Sequence, residues 1–138
     1  MKDFIFTIII CLTMSALTQA QDCKDIRILT EKERAKAALT ALKSAPETIQ
    51  IYTKGLICES CGIGVRKKLQ RLDFVDTKQP KKGIMMDVKT QLVKVSLKKD
   101  AAFQPAAIKK AIKGAGYDPM TLYYLAPNSV LKSINLHN

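Results

Sequence analysis

The run IQIYTKGLICESCGIGVRKKLQRL, residues 49–72, decides how the rest of the chain is read. Its first residues, Ile49 to Thr53, alternate as a strand with one buried face does, and Gly55 breaks the alternation. From Ser60 to Leu72 the period becomes helical: Cys61, Val65, Leu69 and Leu72 fall on one face, with Arg66, Lys67, Lys68 and Arg71 away from it. Cys58 and Cys61 stand where the two periods meet. Thiols three residues apart can converge on one ion, and a helix N-terminus stabilises thiolate through its unpaired N–H groups and its dipole. This reading puts Cys61 within the first helical turn. Spacing alone leaves three uses open: a soft-metal site, a short structural disulfide, or a redox pair.

Working toward the C-terminus, a turn rich in breakers, Asp76 to Gly83, precedes two alternating runs, Ile84–Val88 and Leu92–Leu97. The short link Lys89-Thr90-Gln91 makes them a hairpin. A second helix is expected from Pro105, a residue suited to the first helical turn, with Ile108, Ile112 and Ala115 inward and Lys109, Lys110 and Lys113 outward. Gly114 and Gly116 end it, and Met120–Leu125 reads as a last strand. The order strand, helix, strand, strand, helix, strand predicts an α+β fold. It is the ferredoxin-like split βαβ arrangement (βαββαβ), one antiparallel sheet with two helices on one face. The tail, 126–138, has scattered apolar residues and is expected to be loosely ordered.

Toward the N-terminus, Thr30 and Glu33 have capping-box spacing, and Leu29, Ala35, Ala38, Leu39 and Leu42 recur on one side of the helix that follows. Segment 21–48 is therefore an amphipathic helix and linker, ended by Pro46, and too small to fold alone. The second sheet face would carry Tyr52, Met85, Leu92, Tyr123 and Leu125, and this helix is expected to cover it, within one chain or between two. Residues 1–20 read as a signal peptide: Lys2, the apolar run Phe4–Leu12 and a small residue at Ala20. Export follows, to the periplasm if the source is a Gram-negative bacterium. Once that segment is removed, one domain is the default, spanning 49–125.

Cleavage would leave three cysteines, an odd number, so at least one of Cys23, Cys58 and Cys61 stays outside any intramolecular disulfide. The net charge of +11 favours anionic partners. Its lysines are spread over every segment with no aromatic-interleaved basic motif, and nucleic acid is not expected. No catalytic constellation is visible, so no enzymatic activity is expected. Thiolates suit soft ions, whereas structural zinc takes four cysteine or histidine ligands, and the single histidine is His137. Met85, Met86 and Met120, at alternating strand positions, read as sheet filler.

On Gly55 with the Cys58–Cys61 pair, on the pattern of every later element, and on Gly116-Tyr117 ending the second helix, residues 49–125 resemble a heavy-metal-associated domain. Copper chaperones, N-termini of metal-pumping ATPases and exported mercury-binding proteins carry this module. The resemblance implies that Cys58 and Cys61 bind one soft ion, Cu(I) or Hg(II), with Leu56 as an apolar plug under the loop and Tyr117 close to it. It implies a carrier, chaperone or scavenger whose partner is a metal-transporting membrane protein or another metal-handling protein, and the net positive charge adds the expectation of an acidic docking surface on that partner. Leu56-Ile57 stands where the family usually has Met-Thr, and Glu59 adds a negative charge between the thiols. An interaction module that keeps the fold with weak or lost metal binding is the alternative. A thiol–disulfide redox protein is less expected, because the pair lacks the preceding tryptophan of thioredoxin-like proteins.

Overall fold

In the computed structural model, which describes residues 29–137, the elements follow in the order α1 (Glu31–Ser44), β1 (Thr48–Lys54), α2 (Ile63–Leu69), β2 (Ile84–Asp87), β3 (Leu92–Ser96), α3 (Pro105–Lys113), β4 (Asp118–Leu125) and β5 (Leu131–Asn135). The strands form one sheet in the order β2-β3-β1-β4-β5, every pair antiparallel. This is the split βαβ topology, extended by α1 at one end and β5 at the other. The expected signal, 1–20, and Cys23 lie outside the described residues.

β1 is the central strand, and alternation sends its side chains into two different layers. Ile49 and Ile51 are buried with Val93, Val95 and Leu122 against Val65 and Leu69 of α2 and Ile108 and Ile112 of α3. Tyr52, on the other face, packs with Leu92 and Tyr123 against Ala38 and Leu42 of α1. The expected cover of the second face therefore forms within one chain. Its buried stripe is Arg34, Ala38 and Leu42, so Leu39 is flanking rather than central. Met85, on edge strand β2, stays 43% exposed and does not join that layer.

Capping residues place α1 as its sequence requires. The Thr30 hydroxyl oxygen accepts the Glu33 N–H at 3.3 Å, and the Glu33 carboxylate accepts the Thr30 N–H at 2.9 Å. In the hairpin link, the Asp87 carboxylate accepts the Lys89 N–H and the Thr90 hydroxyl at 3.0 and 2.9 Å, which closes the turn.

Two expectations are corrected. The helix after the cysteines spans Ile63–Leu69, not Ser60–Leu72, because the chain from Ile57 to Gly62 is spent on the loop itself. The tail is not loosely ordered: Leu131–Asn135 pairs with β4 from Leu131 opposite Leu125 to Asn135 opposite Thr121. Leu131 joins the α1 layer while Ile134 and Leu136 join the main core, so even this polar edge strand buries apolar groups on both faces. Pro127-Asn128, a turn dipeptide between two short runs, is the local signal for that hairpin.

Candidate metal centre

β1 ends at Lys54, and the next residues carry the chain over the edge of the core to α2. Leu56 is fully buried beneath this loop, where it anchors the turn to the main core. Ile57, next to it, is 54% exposed, and Cys58 and Cys61 are both partly exposed. The pair is joined as a disulfide, with Cα atoms 5.2 Å apart. Both sulfurs are thus held at the protein surface on a base of buried leucine.

Hydrogen bonds concentrate on one of the two sulfurs. The Cys61 N–H donates to Cys58 Sγ at 3.1 Å, and the Ser60 hydroxyl lies 3.3 Å from the same atom. With no proton on a disulfide sulfur, Ser60 is the donor there. Cys61 itself precedes α2, so the expectation that it belongs to the first helical turn is corrected. The local dipoles that stabilise negative charge point at Cys58 Sγ.

Tyr117 reaches the loop from across the fold. Its phenol donates to the Cys61 carbonyl oxygen at 2.8 Å, a link between residues 56 positions apart. Its ring stands by Gly55, where its Cδ1 would be 3.8 Å from a Cβ. One side chain thereby bonds the end of the loop and lies beside its start. Behind the loop, Gly62 is buried with no room for a side chain: an added Cβ would collide with the Met86 thioether and lie 3.3 Å from Leu56. The structure brings together Leu56, Cys58, Cys61 and Tyr117 as expected. It adds Ser60 and Met86, and nothing in the sequence near Met86 points across the sheet to the loop.

Among the described residues no group of three or more histidine, cysteine, aspartate or glutamate side chains converges on a point. The donor set at this loop is two sulfurs, which become available as thiolates when the disulfide is opened. Such a pair fits a soft ion of low coordination number and leaves a four-ligand zinc site unfilled.

No curated protein and no solved structure matches the chain. The family model of the heavy-metal-associated domain does match, over residues 51–118, from the middle of β1 to the first residue of β4. Domains of this family bind soft metal ions and interact with other metal-handling proteins. With the matched segment carrying the paired sulfurs, the buried plug and the tyrosine clamp, residues 51–118 are a heavy-metal-associated domain.

Proposed function

We propose that the protein is an exported carrier of one Cu(I) or Hg(II) ion, held between Cys58 and Cys61. The observation that supports this most is the placement of two surface sulfurs on a loop fixed by Leu56 below and Tyr117 behind. The ion is cargo. It enters after the disulfide is reduced, because a disulfide sulfur has no thiolate charge to donate, and it leaves by exchange onto the thiols of a partner.

The surroundings suit exchange better than storage. Ile57 and Ile63, which flank the cysteine pair in the sequence, expose 54% and 47% of their surfaces, apolar groups that a partner's own loop can cover. Excess positive charge favours a partner with an acidic docking surface, a metal-transporting membrane protein or another metal-handling protein. On this reading the protein is not an enzyme. Export rests on the Met1–Ala20 pattern, and a periplasmic location would follow in a Gram-negative source.

The same exposed pair, Ile57 and Ile63, favours a second reading, an interaction module that has kept the fold and lost the ion. One experiment separates the two. Chelator-competition titrations on the reduced parent, Cys58→Ser, Cys61→Ser and the double variant should show each single substitution costing orders of magnitude in Cu(I) or Hg(II) affinity. One thiolate cannot fill a two-coordinate site. If the double variant holds the ion as tightly as the parent, the carrier reading fails and the interaction module stands.

A further inference from the structure

Beside the disulfide lies a groove of about 580 Å³ whose lining includes Glu59 and Ser60 of the cysteine loop, Arg66 and Lys67 of α2, and Lys81 and Lys82 of the 3-10 turn before β2. Four cations face one carboxylate. Lys81 and Lys82 both adopt left-handed backbone conformations, with φ of 53° and 56°, which non-glycine residues seldom do. Arg66 lines the groove, and its Nε is buried with no hydrogen-bond partner, which leaves its terminal nitrogens as the groups that could meet an anion there. A guanidinium edge is built to hold a carboxylate or sulfonate, and leaving a buried donor unmatched costs free energy.

The groove is of a size that takes a small molecule, and two of its lining residues, Glu59 and Ser60, lie between the two cysteines of the disulfide. We propose that it binds a small anionic thiol, of the class that carries a carboxylate or sulfonate a few atoms from its sulfur, and that this thiol opens the Cys58–Cys61 bond. The proposal rests on the carrier reading, because reduction is what makes the pair able to take an ion. The anionic end pairs with the groove cations and the thiolate faces the disulfide. Attack falls on Cys61 Sγ. A bond forms between the incoming sulfur and Cys61, the Cys58–Cys61 bond breaks, and its electron pair goes to Cys58 Sγ. That atom already accepts the Cys61 N–H and the Ser60 hydroxyl, which makes Cys58 the better leaving thiolate. A second thiol anion attacks the sulfur of the first, releasing Cys61 as a thiolate and the reagent as its own disulfide. Two thiolates are oxidised and the pair gains two electrons.

Rates of disulfide opening, followed by alkylation and mass measurement with no metal present, test this. The probes are cysteamine, 2-mercaptoethanol and 2-mercaptoethanesulfonate, whose attacking forms are neutral, singly negative and doubly negative, with rates expressed per thiolate. On the parent, the doubly negative reagent should be fastest, and raised salt should erase its advantage. In K81N/K82N, where asparagine tolerates the left-handed backbone, the advantage should fall by on the order of tenfold. R66Q should lower it as well. K36Q/K43Q removes two exposed charges from α1, on the opposite sheet face, and should leave it unchanged.

A series blind to reagent charge on the parent overturns the proposal, as does an equal loss in K36Q/K43Q. In the charge-blind case, retention of the parent but not K81N/K82N on immobilised polyglutamate assigns the groove to an acidic protein partner instead. Metal titration of chemically reduced protein is a separate measurement. It can succeed while the thiol series fails, so the groove and the metal site fall independently.

Discussion

Tyr117 holds the Cys58–Cys61 loop through one hydrogen bond, from its phenol to the Cys61 carbonyl oxygen, while its ring packs against the main core. Tyr117→Phe keeps the ring and removes the bond, so the loop should stay folded but lose its fixed orientation. Stability should fall by about 1 kcal/mol, and affinity for Cu(I) or Hg(II) by roughly tenfold, the lower end of what outer-shell partners contribute. Unchanged affinity in a chelator competition would show that the loop orients itself. Spacing in the sequence exposed Cys58 and Cys61, since both cysteines lie within one turn of chain. Leu56 and Tyr117 were legible only through the family pattern, because their roles depend on contacts at long range. Arg34 was not legible at all: an arginine on a helix is ordinarily solvated, yet here it is buried over the Tyr52 ring, 3.5 Å from its centroid. Its guanidinium donates to the carbonyl oxygens of Leu29 and Thr90, and those acceptors come from parts of the chain that only folding brings together.

At the scale of elements, the loops were harder to read than the strands and helices. α3 begins at Pro105 as its sequence signals, and its apolar spacing identifies the inward face. α2 is shorter than its periodicity, because the cysteine loop consumes residues that would otherwise continue the helical pattern. β5 went unread because an edge strand needs few apolar residues: Lys132, Ser133 and Asn135 are exposed, and only pairing with β4 makes the segment regular. The breaker-rich turn before β2 holds a feature that sequence marks but does not rank. Gly83 and Gly116 both have positive φ, 75° and 87°, so alanine at either position should cost about 1 kcal/mol for the backbone alone. Space separates them. A Cβ on Gly116 meets nothing within 4 Å, whereas one on Gly83 collides with the Asp76 carbonyl, which is backbone and cannot rotate away. Urea denaturation should show Gly83→Ala destabilised by several times the cost of Gly116→Ala. Equal midpoints for the two variants would mean that the 3-10 turn yields freely.

On the scale of the whole molecule, the sheet is insulated on both faces by layers of unequal strength. The main core has fourteen buried residues and the α1 layer four, so the α1 side has less apolar burial to hold it and depends more on its polar groups. Arg34 is one of these, and the Tyr123 hydroxyl is buried in the same layer. Tyr123 is 3% exposed, and burial pushes its phenol above the ordinary value of 10.0. The folded state therefore keeps the phenol proton more tightly than the unfolded chain does. The stability this contributes is fully present below the ordinary phenol value and is lost as pH rises through the higher folded value. Urea midpoints of the parent and Tyr123→Phe should differ by a constant amount from neutral pH to about pH 10, where the phenol begins to ionise in the unfolded chain. Above that, the parent should lose stability relative to the variant, because the phenolate must be taken into the α1 layer while phenylalanine carries no charge to bury. Far-UV circular dichroism in the same range should show helix lost from the parent before the variant, since α1 is the element that packs on Tyr123. Parallel pH profiles for the two proteins would mean that the phenol reaches solvent, and that α1 covers the second face less tightly than the buried Ala38 and Leu42 indicate.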